Sequence, residues 1–191
     1  MTTVYFVRHA ETNYKNHDDP TRELTAKGVE DCRLVTRFFA DKRVDAVLSS
    51  PYRRARDTVR GVAEAAGLEI LVEDDFRERK VDGGWIEDFS SFCRRQWADF
   101  DYKLSDGETL REVQERNIAA LSRVLREHRD QTIVIGTHGT ALSTMIHFYD
   151  RRFGYADFER IKGLMPWIVK FSFEGDRCMG IELYDVFAPR G

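Results

Sequence analysis

The stretch Val4-Tyr5-Phe6-Val7-Arg8-His9-Ala10-Glu11-Thr12 decides the fold. Its first residues are apolar and β-favouring, and they read as a short buried strand. The strand stops at an arginine, a histidine and a glutamate, residue types that suit a pocket better than a core. The same design recurs twice. Thr132-Ile133-Val134-Ile135-Gly136-Thr137 runs into His138-Gly139-Thr140, and Asp45-Ala46-Val47-Leu48-Ser49-Ser50 ends in Pro51-Tyr52-Arg53-Arg54-Ala55-Arg56. Each strand leads into a helical pattern, so Arg8, His9, Arg54 and His138 are delivered from carboxyl ends of strands. In an open α/β sheet ligands bind at that edge.

Bulk properties narrow the class. A chain of 191 residues with 42% hydrophobic and 33% charged residues is expected to form one globular domain over residues 1–191. A formal net charge of -3 argues against a nucleic-acid or membrane-surface binder. No apolar run has the length of a membrane span, and Met1-Thr2-Thr3 leads straight into a strand rather than a signal peptide. Cys32, Cys93 and Cys178 are odd in number and far apart, which fits a reducing, cytoplasmic setting.

Outward from the first strand, residues 13–23 are a polar loop and Thr25 is the expected N-cap of a helix. Val29, Cys32, Val35 and Phe39 fall at roughly helical spacing and should face the sheet. Residues 52–66 read as a charged amphipathic helix closed by Gly67. A short strand at residues 68–72 precedes a charged loop. The aromatic-rich segment 85–102 follows, either a cap over the site or helix core. Ser105-Asp106-Gly107-Glu108 has the form of a capping box and should open a long helix to about His128. Residues 140–149 read as a further helix, and Glu174-Gly175-Asp176-Arg177 signals a hairpin.

The chemistry follows from residue types. A histidine titrates near neutrality and can act as nucleophile, acid or base. Arginines hold phosphoryl oxygens bidentately and keep their charge throughout a reaction. His9 between Arg8 and Arg54 is therefore suited to attack phosphorus. One such residue at a strand end is no more than a polar cap; four at three strand ends make a site. Transfer through a histidine also needs a carboxyl group to protonate the leaving oxygen and then activate water. Glu78 is the candidate, with Glu11 a rival by proximity; the alternative for Glu78 is a solvated charge run at residues 77–80.

Arg8-His9-Ala10-Glu11-Thr12, Leu24-Thr25-x-x-Gly28, Ser49-Ser50-Pro51-Tyr52-Arg53-Arg54-Ala55, Arg77-Glu78 and Thr137-His138-Gly139 together resemble the histidine phosphatase superfamily, the phosphoglycerate mutase-like proteins. The resemblance spans nearly the whole chain in order. It implies a three-layer α/β/α sandwich around a mostly parallel sheet, with no metal and no cofactor needed. By the same resemblance His9 becomes phosphohistidine, Arg8 and Arg54 bind phosphate, His138 completes the pocket, and Glu78 is the acid and base. Thr12 and Gly139 are expected beside the substrate. The chain departs from the pattern where Ala10 replaces a glycine and Lys15, with Asn16 next to it, replaces a phosphate-contacting asparagine. Either Lys15 or Asn16 is expected to reach phosphate.

Mutases of that family resemble longer chains, so 191 residues favour hydrolysis over transfer back to a held substrate. The expected partner is a small-molecule phosphomonoester, with the protein a monomer or homodimer. The alternatives are a mutase-type phosphotransferase and a catalytically silent regulatory domain on the same fold. A metallohydrolase built on His9, His138 and nearby acids ranks last, because the His9-Ala10-Glu11 triplet has no P-C-x-x-C partner.

Overall fold

A computed structural model describes residues 1–188. Strands β1 (Thr2–Arg8), β2 (Ala46–Ser49), β3 (Ile70–Val72), β4 (Thr132–Thr137), β5 (Trp167–Glu174) and β6 (Arg177–Tyr184) form one sheet in the order β3-β2-β4-β1-β5-β6. β1, β2, β3 and β4 run parallel, while β5 and β6 add an antiparallel edge. The helices are α1 (Ala26–Phe39), α2 (Arg53–Ala66), α3 (Phe89–Ala98), α4 (Leu110–Glu127), α5 (Gly139–Tyr149) and α6 (Tyr155–Ile161).

Alternation along β1 sorts the core into two layers. Val4 and Phe6 face α4 and α5 through Leu121, Leu142 and Met145, whereas Tyr5 and Val7 face α1 and α2 through Val35, Phe39, Val59 and Val62. A central strand buried on both faces has to be apolar throughout, which is why β1 shows no polar alternation. Each fully buried large side chain contributes about 1.5–3 kcal/mol. The expected three-layer sandwich is the fold observed.

Register fixes the site. Arg8 lies opposite Thr137, and Ser49 lies opposite Gly136, so the segments leaving β1, β2 and β4 emerge at one level. Local chemistry sets the helix ends. The Thr25 hydroxyl accepts from the Gly28 amide at 3.0 Å, and Gly67 closes α2 at a φ of 66° in the left-handed region.

Three local expectations need correction. The long helix starts one turn later than its first capping-box signal. Thr109 and Glu112 make the reciprocal bonds at 3.0 and 2.8 Å, because the Glu108 carboxylate is engaged by Arg116 at 2.8 and 2.9 Å. Val29 is 61% exposed; of the expected α1 stripe Val35 and Phe39 are buried, and Gly28 is buried in place of Val29. Helix α6 has no counterpart among the expected elements, since seven residues are too few to show a period. Among the described residues no helix is long and apolar enough to cross a membrane.

Candidate active site

His9 leaves β1 fully enclosed, 5% exposed. Its Nδ1 lies 2.8 Å from the Ala10 carbonyl oxygen. A carbonyl can only accept, so Nδ1 carries the proton and the lone pair of the neutral ring is on Nε2. Burial, followed by the charges of Arg54 and Arg8, holds the His9 pKa well below 6.5. The ring is therefore neutral at physiological pH, with a nucleophilic nitrogen among cations.

The cations are fixed by different means. Nη1 of Arg8 donates to the carbonyls of Ile161, Lys162 and Leu164 at 2.9, 2.9 and 3.1 Å, the end of α6. That end carries negative dipole charge, which holds a guanidinium well. Gly139 lies against the other edge of the same group. A Cβ there would stand 2.9 Å from Arg8 Nε, so glycine leaves the arginine its room. Arg54 donates from Nη1 to the Asp19 carbonyl at 2.6 Å and from Nη2 to its carboxylate at 2.9 Å. Among the described residues the Nε groups of Arg8 and Arg54 and the Thr12 hydroxyl are buried without partners.

His138 stands beside His9, with ring centroids 5.4 Å apart. Its Nε2 lies 2.7 Å from the Ser50 hydroxyl, and the Tyr52 ring meets it edge-on at 5.2 Å. Burial, followed by Arg54, lowers its pKa well below 6.5 as well. Glu78 approaches from the loop after β3. One carboxylate oxygen accepts from the Thr140 amide at 3.0 Å, and the other from Ala141 at 3.0 Å and Arg79 at 2.8 Å. The carboxylate thus caps the first turn of α5, directly after His138. Its loop is pinned by Arg116, which donates to the carbonyls of Asp75, Arg77 and Glu78 at 2.7, 2.8 and 3.1 Å. The charge run at residues 77–80 is no solvated face: Arg79 is 2% exposed and bonded to Gln96 at 2.8 Å.

Arg8, His9, Thr12, Arg54, Glu78 and Gly139 line one cavity of about 930 Å³, with His138 packed behind His9. Lys15 and Asn16 do not line it. Asn16 donates to Glu23 at 2.9 Å and accepts from the Asp18 amide at 3.0 Å. Bonds from Asn16 and Asn13 lower the Glu23 pKa to about 2. Lys15 is exposed. Arg22, which was not expected there, lines the cavity, and its Nε donates to the Asn16 carbonyl at 2.8 Å. Nothing local in the sequence separated Arg22 from a surface charge. Glu11 does not line the cavity, and its carboxylate accepts from the Thr25 hydroxyl at 2.7 Å at the start of α1.

Segment 85–102 divides. Trp85, Ile86 and Phe89 line the cavity, and Trp85 stacks on His17 across its mouth with centroids 4.0 Å apart. Phe92 belongs to the core, with Trp97 and Tyr102 packed against it. Among the described residues no group of three or more His, Cys, Asp or Glu side chains is placed to hold a metal ion.

Comparison with known proteins identifies the family. The model of the histidine phosphatase superfamily (branch 1) matches residues 4–184. Phosphoserine phosphatase 1 of Hydrogenobacter thermophilus is 28% identical over 166 residues, 76% of this chain and 74% of that one. A probable phosphoglycerate mutase of Serratia proteamaculans is 31% identical over 163 residues, with 76% and 74% covered. Among solved structures, a mycobacterial glucosyl-3-phosphoglycerate phosphatase superposes with a TM-score of 0.77 at 16% identity, covering 96% of this chain and 98% of that one. Entamoeba histolytica phosphoserine phosphatase superposes with a TM-score of 0.78 at 18% identity, covering 98% and 100%. With the family model matched from β1 to the end of β6, the chain belongs to the histidine phosphatase superfamily.

Proposed function

We propose that the protein hydrolyses phosphomonoesters, without a metal, through a phosphohistidine at Nε2 of His9. The observation that carries this reading is the tautomer: Nδ1–H is committed to the Ala10 carbonyl, so the free lone pair is at Nε2, among Arg8, Arg22 and Arg54. In the first step Nε2 attacks phosphorus in line, the bond to the ester oxygen breaks, and Glu78 in its acid form gives that oxygen a proton. The arginines balance charge on the equatorial oxygens, as phosphoryl transfer requires. In the second step water attacks phosphorus, its proton passes to the Glu78 carboxylate, and the N–P bond breaks. Phosphate leaves, and His9 and Glu78 return to their starting states.

The leaving group would occupy the outer part of the cavity. Trp85, Ile86, Phe89 and Phe158 give it apolar walls, with Lys80 and Lys162 at its rim. This favours an alcohol larger than glycerol with an apolar or aromatic portion. Several relatives carry phosphatase names, including a phosphoserine phosphatase at 28% identity, which supports hydrolysis as the outcome. The test is turnover of p-nitrophenyl phosphate in EDTA, comparing the wild type with His9→Ala. Activity that resists chelation and disappears in the variant is expected. Activity lost to EDTA would overturn the mechanism, and inactivity in both proteins would favour a mutase or a silent domain.

A further inference from the structure

We infer that Asp19 is the resident anion of the phosphate site, occupying donors of Arg54 and Arg22 that an incoming phosphoryl group takes by displacing it. The inference rests on the reading of this cavity as a phosphate site. Oδ1 of Asp19 lies 2.9 Å from Arg54 Nη2 and 3.2 Å from Arg22 Nη1. One acidic oxygen shared by two guanidinium groups is the arrangement that a phosphoryl oxygen would find there. Among the described residues the hydrogen bonds of the Arg54 guanidinium all go to Asp19, and its Nε is buried without a partner.

The two clamp arginines differ in a way that points to displacement. Arg8 is held by main-chain carbonyls at the end of α6, which no ligand can push aside. Arg54 is held partly by a side chain. The Arg54 side chain is 3% exposed, whereas that of Asp19 is 34% exposed and can rotate into solvent. Its main-chain carbonyl would meanwhile keep the 2.6 Å bond to Nη1. The loop need not move, because the Arg53 amide donates to the Pro20 carbonyl at 3.0 Å and ties it to the start of α2. Asp19 thus offsets a buried cation while the site is empty of substrate and opposes tight retention of phosphate after turnover.

The test is the dissociation constant of inorganic phosphate, measured by calorimetry on the wild type, Asp19→Asn, Asp19→Glu and Arg54→Gln, with KM for p-nitrophenyl phosphate alongside. Asp19→Asn keeps the shape and removes the charge, so phosphate should bind about tenfold more tightly and KM should fall with it. Asp19→Glu keeps the charge and should not reproduce the tightening seen with Asp19→Asn. Equal or weaker phosphate binding by Asp19→Asn would overturn the inference and leave Asp19 as a support that merely orients Arg54. Unchanged phosphate binding by Arg54→Gln would show instead that the cavity is not the phosphate site, and both readings would fall.

Discussion

His9 is kept neutral by burial and by neighbouring cations rather than by a partner base, and this has a measurable sign. A histidine whose pKa is lowered stays unprotonated as pH falls through 6.5. Its NMR signals should therefore remain those of neutral imidazole across that range. In Arg54→Gln, where one of the lowering charges is gone, the titration should move up toward 6.5; a wild-type His9 titrating at 6.5 would contradict the account. Glu78 makes a different prediction. Its proton matters most for ester oxygens that leave poorly, so Glu78→Ala should slow alkyl phosphates about 10²-fold more than p-nitrophenyl phosphate. Equal losses for both would remove it as the acid. The convergence of His9, Arg8, Arg54 and Glu78 on one cavity was legible because each sits in a motif with a strand or loop context. The place of Arg22 in its lining was not, because it comes from the loop after β1 and leaves no periodic trace.

At the level of elements, the site depends on helix ends. The start of α5 receives Glu78, the end of α6 holds Arg8, and Gly139 at the first position of α5 leaves the guanidinium its space. Gly139→Ala should displace Arg8 and raise KM for p-nitrophenyl phosphate with little change in Tm; an unchanged KM would show that Arg8 tolerates the methyl group. Thr109→Ala removes one bond of the α4 capping box and should cost about 1 kcal/mol in urea unfolding while leaving kcat/KM intact. The box was read one turn early because two Ser/Thr-x-x-Glu patterns follow one another directly, and only the tertiary contact of Glu108 with Arg116 decides between them. The strands, by contrast, were legible. β1 and β4 are buried on both faces, and continuous apolar runs announce that burial directly.

For the whole molecule, two buried neutral histidines tie stability to pH. In the unfolded chain His9 and His138 gain protons below about 6.5, whereas in the folded chain their lowered pKa values keep them neutral. The unfolded state then binds more protons, so stability present above 6.5 is lost as pH falls below it. Unfolding in urea should show a lower midpoint at about pH 5.5 than at about pH 7.5, and the difference should shrink in His138→Gln. A pH-independent midpoint would contradict the burial described. The three layers and the mostly parallel sheet were implied by the family motifs, but the strand order, α6 and the two-part use of segment 85–102 were not. The last two depend on which face packs against a distant helix. A phosphohistidine on His9 can be tested directly. Wild-type protein mixed with p-nitrophenyl phosphate, quenched in alkali within a turnover and digested for mass spectrometry should carry a phosphoryl group on the peptide containing His9. An unmodified His9 peptide during steady turnover, or a phosphoryl group on another residue, would contradict it.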